Sequence, residues 1–335
     1  MHNFVPYVSI IIPTYNRKDL LKATIESVLN QSYSSDRYEV IIVDNESNDG
    51  TEAMVRALQS GAPCTLKYFR KNNEGPGVAR NLAIKKAEGD IIAFTESDCI
   101  ADFHWIENGV ARMAEGVGLV QGKTLPNPYQ KRGRFSHTQE IIRQNDIYQT
   151  CNMFYRKDVL EDVGGLSHDF IGRDRFGNLI LMGEDTDLAW KVKKGGWKST
   201  FAEDAVVYHH VFQLSSWESL LFMRRCQLFF YVWPLLVKKY PELRNRLFYH
   251  RFFITKRKAF FDLLILAMFL GIFMHEIFFL LAIPYPALLF EKFLKGYSLR
   301  TYHHRMILLL HSVIGDIIDF PLLVAGSLWH RSIVL

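Results

Sequence analysis

Four short apolar runs near the start of the chain, at residues 8–12, 40–43, 66–69 and 91–94, alternate with stretches at 18–30, 51–58 and 78–87 whose apolar residues recur at helical spacing. Side chains alternate along a strand and repeat every three to four residues on a helix, so the pattern predicts strand and helix in regular succession. A chain built this way folds as an α/β domain: an open, Rossmann-like mixed sheet, mostly parallel, with helices on both faces. With 335 residues, 49% of them hydrophobic, there is apolar material for a full core and for more than one structural unit.

Ligands of open α/β sheets collect beyond the carboxyl ends of the strands, which makes the polar residues after each run the candidate site. Pro13, Thr14, Tyr15, Asn16 and Arg17 follow the first run, and Asp44 and Asn45 follow the second. Asp44 can accept a hydrogen bond from a ring N–H of a pyrimidine, with Thr14 and Tyr15 walling the base. The same segment is rich in turn formers, so Asp44 can equally cap a turn. The run at 91–94 stops at Glu96, Ser97 and Asp98. If extended backbone continues through them, Glu96 and Asp98 share a face, and hard carboxylate ligands there suit Mg²⁺ or Mn²⁺ holding a diphosphate. The alternative is a turn that ends the strand.

Further along, Gly75, Pro76 and Gly77 enter a predicted helix whose first turn can face a phosphate, with Arg80 one turn inside. This loop matches neither the dinucleotide fingerprint nor the Walker loop. Gly183 opens an amphipathic segment that ends at Gly195 and Gly196, with Glu184, Asp185 and Asp187 in its first turn. Acids there offset the helix dipole. Alternatively, Asp185, with Glu184 beside it, is a general base at an acceptor pocket. The β-like run at 206–210 ends in His209 and His210, either of which could complete a metal shell.

Together these segments resemble the family 2 glycosyltransferases of the GT-A fold. The resemblance covers about the first 210 residues and rests on VSIIIPTYNR at 8–17, VIIVDNESNDG at 40–50, GPGVARN at 75–81, DIIAFTESDC at 90–99 and GEDTDLAWKVKKGGW at 183–197. It implies a nucleoside-diphosphate sugar as donor, its base held by the Thr14 and Asp44 loops, and a divalent cation, Mn²⁺ or Mg²⁺. It also implies Asp98 as the metal-binding aspartate of an Asp-X-Asp motif, Asp185 as catalytic base, and His209 or His210 near the metal and diphosphate. Inversion at the anomeric carbon is the implied outcome. Glu96 stands where the family more often has Asp, and its extra methylene would let it meet the ribose, or the metal through water. A membrane-tethered protein that binds nucleotide sugars without turnover is the competing class, and the presence of Asp98, Asp185 and both histidines argues against it. A nucleotidyltransferase would carry a Gly- and Lys-rich phosphate loop near the amino terminus, which residues 13–17 are not.

The formal net charge of +5 conceals a strong asymmetry. Residues 221–258 hold ten Lys or Arg against the single acid Glu242, whereas the 220 residues before them hold 25 basic and 29 acidic side chains. Such a belt can mark nucleic-acid binding. Here it precedes apolar stretches at 260–290 and 306–329, each long enough to cross a bilayer, so anionic lipid is the expected partner and nucleic acid is not. Lys292, Lys295, Arg300 and Arg305 follow the first stretch, so basic residues on both its sides are drawn to the cytoplasmic face. That predicts a kinked or re-entrant hairpin around His275 and Glu276, or helices lying in the interface. Residues 217–249 mix aromatic and basic side chains and read as amphipathic helices at the bilayer surface, where a lipid-linked or glycan acceptor could be met.

Cys64, Cys99, Cys151 and Cys226 lie far apart with no zinc or dithiol spacing, and no signal peptide precedes them, which predicts a reduced, cytoplasm-facing protein. The expected organisation is a catalytic domain at 1–212, a basic connector at 213–258 and membrane-embedded or re-entrant helices at 259–335. Residues 121–182 are expected to shape the acceptor pocket, though nothing in their spacing identifies the acceptor or an oligomeric state.

Overall fold

The apolar runs are strands buried on both faces, which is why they read as unbroken hydrophobic stretches. In β1 (Val8–Thr14), β2 (Tyr38–Asp44) and β4 (Ile91–Thr95) every residue is buried. Full burial of each of their Ile and Val side chains contributes about 1.5–3 kcal/mol. β3 (Thr65–Arg70) forms the sheet edge, and α1 (Lys18–Leu29), α2 (Thr51–Gln59) and α3 (Pro76–Lys86) connect the strands. Each expected element forms, and the strands run past their apolar cores to take in Thr14, Asp44 and Thr95. The structure, a computed structural model, describes residues 5–133, 135–173, 179–181, 183–227, 232–294 and 302–335.

Beyond β4 the chain continues through β5 (Cys99–Ala101), α4 (Trp105–Ala111), β6 (Val117–Pro126), β7 (Asn152–Arg156), α5 (Lys157–Asp162), β8 (Ile171–Arg173), β9 (Leu179–Leu181), α6 (Glu184–Lys194) and β10 (Lys198–His209). The main sheet has the order β3-β2-β1-β4-β7-β6-β10-β5, while β8 and β9 pair separately. Its β3–β2–β1–β4 half is parallel throughout; β7 runs antiparallel to β4 and β6, and β5 antiparallel to β10. The sheet is therefore open and mixed, as the alternation implied. β10 begins well before the expected run at 206–210, and a register shift between Ala202 and Val206 interrupts its alternation. That bulge hides a long strand from a period-two reading.

A buried amide holds the mixed half together. Trp105 Nε1 donates to Asn152 Oδ1 at 2.8 Å, and Asn152 Nδ2 donates to the carbonyls of Lys123 and Ala205 at 2.9 Å each. A Cβ at Gly122 would lie 2.3 Å from Asn152 Oδ1, so only glycine lets the amide approach β6. On the parallel side Thr14 is in register with Asp44, and Asn45 N donates to Thr14 O at 2.9 Å. The carboxyl ends of β1 and β2 thus present their loops side by side.

The chain divides into two compact units, Met1–Leu214 and Ser215–Leu335. The second is helical, comprising α7 (Ser216–Gln227), α8 (Trp233–Lys239), α9 (Leu243–Leu247), α10 (Lys256–Phe273), α11 (Pro284–Leu294) and α12 (Tyr302–His330). The apolar stretch at 260–290 is not one crossing helix. α10 ends at Phe273, His275 Nδ1 caps the next turn by accepting from Ile277 N at 3.1 Å, and a 3-10 helix over Glu276–Ala282 leads into α11. A Cβ at Gly271 would lie 2.5 Å from the Phe279 ring, so a glycine at that position permits the return segment to pack on α10. Among the described residues one segment, Leu309–His330 with mean hydropathy 1.6, is long and apolar enough to cross a membrane. Lys295 and Arg300 of the expected second basic cluster lie outside the described residues.

A charge network joins α10, α11 and α12. Lys258 pairs with Asp316 and Asp319, Arg257 Nε lies 3.0 Å from Asp316, and Tyr285 Oη donates to Asp316 Oδ2 at 2.8 Å. Removing one partner would strand a buried charge, so these pairs enforce how the three helices meet.

Candidate active site

The loops after β1 and β2 are stitched to each other. Asn16 adopts a left-handed conformation (φ 49°), its N–H donates to Ser47 Oγ at 2.8 Å, and its Oδ1 accepts from Asn48 N at 2.8 Å. Asp44 is fully buried; Oδ1 accepts from Ser47 N at 2.8 Å and Oδ2 from the Tyr68 hydroxyl at 2.6 Å. Burial, with that bond to Asp44, raises the Tyr68 pKa and keeps the phenol a donor. Asp44 thus caps its turn, and each oxygen keeps a further lone pair. Thr14 Oγ1 and Asn45 Oδ1 are buried beside it with no hydrogen-bond partner among the described residues. Pro13 lies in the buried strand and Tyr15 is exposed at the rim.

Glu96 and Asp98 do not share a face. Cys99 N donates to Glu96 O at 3.1 Å, closing a turn in which the alternation of an extended segment is lost. The chain must turn there because β5 starts at Cys99 and pairs antiparallel with β10. Glu96 Oε1 accepts from Arg80 Nη2 at 3.3 Å and from Thr150 Oγ1 at 3.4 Å. Asp98 is directed elsewhere: Arg17 Nη1 donates to its Oδ2 at 2.6 Å, and His209 Nε2 lies 3.8 Å from its Oδ1. Ser97, between them, is buried in the turn.

The two histidines separate as cleanly. His209 Nδ1 lies 2.8 Å from the carbonyl of His210, which can only accept, so Nδ1 is the donor there and Nε2 is the ring nitrogen that faces Asp98. A backbone carbonyl on the far ring nitrogen is the arrangement that orients metal-ligating histidines. His210 is turned away. Val211 N donates to Gln130 Oε1 at 2.7 Å, so the Gln130 amide nitrogen, 2.8 Å from His210 Nδ1, is the donor there. Burial lowers the His210 pKa and keeps the ring neutral.

Asp98, Cys99 and His209 bring three potential ligand atoms within 4.8 Å of one another. Burial and the charge of Asp98 raise the Cys99 thiol well above its ordinary pKa, so it stays protonated and is a poor ligand. A carboxylate oxygen and an imidazole nitrogen remain, of which the carboxylate suits Mn²⁺ or Mg²⁺. Their 3.8 Å separation is too long for a hydrogen bond. Two bonds of about 2.1 Å to a shared cation can span it.

Asp185 and Glu184 open α6 behind Gly183, whose φ of 99° favours glycine. Burial raises both carboxyl pKa values, and the charge of Glu184 raises Asp185 further, to about 7. Arg80 opposes both shifts. It enters from α3, which begins at Gly75 (φ 96°) and Pro76, and its buried Nε has no hydrogen-bond partner among the described residues. A Cβ on Gly77 would touch Glu184 Cγ at 3.6 Å, so the amino ends of α3 and α6 meet. Cys151 shows the convergence: burial raises its thiol pKa, and the charges of Glu96, Asp98 and Asp185 all raise it further.

Tyr68, Gln130, Thr138 and Phe212 were not anticipated. Thr138 Oγ1 lies 3.2 Å from His209 Nδ1, and Phe212 packs edge-on against both His209 and His210. No spacing in the sequence links these residues to the acidic tips; the pairing of β3 with β2 brings Tyr68 to Asp44, and the bridge between His137 and Phe212 and the pairing of β10 bring in the others.

An open sheet of this order, with polar loops gathered at the carboxyl ends of its parallel strands, defines the GT-A class of glycosyltransferase folds. The mannosyltransferase PcManGT from Pyrobaculum calidifontis, solved in complex with GDP-Man and Mn²⁺, shares the fold with a TM-score of 0.62 at 19% identity, over 95% of this chain and 88% of that one. Residues 9–169 match the model of glycosyl transferase family 2. The glycosyltransferase AglE of Haloferax volcanii is 32% identical over 218 residues, which are 62% of this chain and 68% of AglE. The poly(ribitol-phosphate) beta-N-acetylglucosaminyltransferase TarS of Staphylococcus aureus is 33% identical over 161 residues, 46% of this chain but only 28% of TarS. The chain belongs to glycosyl transferase family 2 and is a glycosyltransferase.

Proposed function

We propose that this enzyme moves a sugar from a nucleoside-diphosphate sugar to a hydroxyl of a glycan or lipid-linked acceptor, by a single inverting displacement assisted by a divalent cation. What carries this reading is the place of Asp185 at the start of α6, partly buried beside Glu184 and within electrostatic reach of Arg80 and Glu96, where burial and the Glu184 charge push its pKa up to about 7. A general base works best when its pKa lies near the operating pH. Thr14 Oγ1 and Asn45 Oδ1 are buried polar atoms that a nucleotide would satisfy, beside Asp44 as acceptor for a base N–H. The donor nucleotide named with PcManGT supports the donor class.

In this mechanism Pro13, Tyr15 and Asn16 shape the nucleotide entrance, and Gly75 lets the amino end of α3 approach the diphosphate. Arg80 places a fixed positive charge where the leaving group gains negative charge, anchored by Glu96. Asp98 and His209 would hold the Mn²⁺ or Mg²⁺, which supplies Lewis-acid stabilisation of the departing diphosphate. Asp185 removes the acceptor proton, and Glu184 beside it strengthens its affinity for that proton. Base and leaving group on opposite sides of the sugar give inversion.

Because Asp185 must be ionised to accept a proton, kcat should rise about tenfold per pH unit below about 7 and level off above it. A rate constant between pH 5 and 8 would contradict this role for Asp185.

The apolar segment Leu309–His330, the exposed apolar side chains around the His275 turn and the basic belt support a membrane location, with catalysis on the cytoplasmic side. In this reading 1–212 is catalytic, 213–258 is the basic connector and 259–335 is embedded or re-entrant. Cysteines introduced between 292 and 305 should react with an impermeant label from the same side of sealed vesicles as the catalytic domain. Labelling from the opposite side alone would establish a simple crossing by 260–290.

A further inference from the structure

Asp98 is nearly sealed from solvent, and among the described residues the one permanent cation bonded to it is Arg17. The backbone that carries Arg17 is fixed: Asn16 is tied to the β2 loop, and Arg17 O accepts from Leu21 N at 2.8 Å to start α1. Its side chain is not fixed to the same degree. It is 43% exposed, holds Asp98 through Nη1 alone, and lies with its guanidinium carbon 5.7 Å from the Phe212 ring centre. The other N–H groups make no hydrogen bond within the described protein, so the guanidinium has donors to spare for an anion.

We propose that Arg17 makes cation binding conditional on the donor's diphosphate. This rests on the cation role of Asp98 proposed above. A guanidinium on Oδ2 and a dication between Oδ1 and His209 would set three positive charges against one carboxylate, so each weakens the other. A diphosphate reverses the sign, because its oxygens attract the dication and the guanidinium together. Arg17 therefore neutralises Asp98 until the donor arrives, then turns its free donors to the phosphates. Cation and diphosphate bind cooperatively, and by linkage each raises the affinity of the other equally.

The test is Mn²⁺ binding followed by the EPR signal of free Mn²⁺, without nucleotide and with UDP or GDP. For Arg17→Gln, Mn²⁺ alone should bind roughly three- to tenfold more tightly than to the wild type, a range suited to a half-exposed pair. The enhancement of Mn²⁺ affinity by nucleoside diphosphate should fall by a similar factor, and Arg17→Lys should stay near the wild type. If Arg17→Gln binds Mn²⁺ alone no more tightly than the wild type, while Asp98→Ala has lost binding, the coupling is wrong and the cation site stands. If the wild type binds no Mn²⁺ even with UDP or GDP, the cation role fails with it. Equal Mn²⁺ affinity of the wild type with and without a bound nucleotide would also overturn the proposal, independently of any variant.

Discussion

Asp185→Asn is expected to lower kcat by roughly a thousandfold, within the range a positioned general base contributes, and to leave donor affinity nearly unchanged. The side chain keeps its shape and loses only the ability to take a proton. The same substitution should stabilise the fold at high pH. Asp185 has a folded pKa near 7 against an ordinary value of 3.8. Between those values the folded protein holds a proton that the unfolded chain has released, so stability falls as pH rises through that window and the full cost persists above it. Asparagine removes that cost, so the melting temperature should rise at pH 8 and the difference should fade towards pH 4. An inactive but stabilised variant is the mark of a residue whose burial serves chemistry at the expense of the fold. Loss of donor affinity in step with kcat, or a lower melting temperature at pH 8, would remove Asp185 from the role of base.

Asp98→Ala should abolish the part of donor binding that depends on a cation. Loss of even an outer-shell partner of a metal ligand typically costs 10–100-fold in affinity, so loss of the ligand itself should cost roughly a hundredfold or more. Calorimetry of a nucleoside diphosphate with and without Mn²⁺ separates the outcomes: the wild type should gain affinity with Mn²⁺ and the variant should not. A variant that keeps the full Mn²⁺ increment would show that the cation is held elsewhere. The variant also leaves Arg17 without its carboxylate, so the cation-free affinity for nucleotide should be maintained or slightly raised.

Much of the site was legible because parallel strands buried on both faces leave a plain mark in sequence: an apolar run that stops at a polar residue. Thr14 and Asp44 follow from that mark, since each stands where a strand ends and α/β topology brings parallel ends to one edge, whereas Asp98 lies past the turn that follows β4. The Gly75 and Gly183 entries to α3 and α6 were legible for a related reason. Both positions require backbone angles that favour glycine, and both are followed by helical spacing.

Within 99–182, β5, β7, β8 and β9 were not legible, because they are only three to five residues long and give too little periodicity to separate strand from loop. The shared face of Glu96 and Asp98 was wrongly expected for a specific reason: alternation holds only while a strand continues, and the pairing of β5 with β10 ends it at Cys99.

The sequence by itself determined the α/β class, the parallel half of the sheet, the acidic tips and the apolar and basic character of the carboxyl-terminal third. All of these are carried by residues close together in the chain. Only the tertiary structure decided that Asp98 faces Arg17 and His209 while Glu96 faces Arg80, that His209 rather than His210 turns a ring nitrogen to Asp98, and that burial and Glu184 raise the Asp185 pKa. Each of these depends on which distant segments pack together and on how much water they exclude, and neither quantity is local to any stretch of sequence.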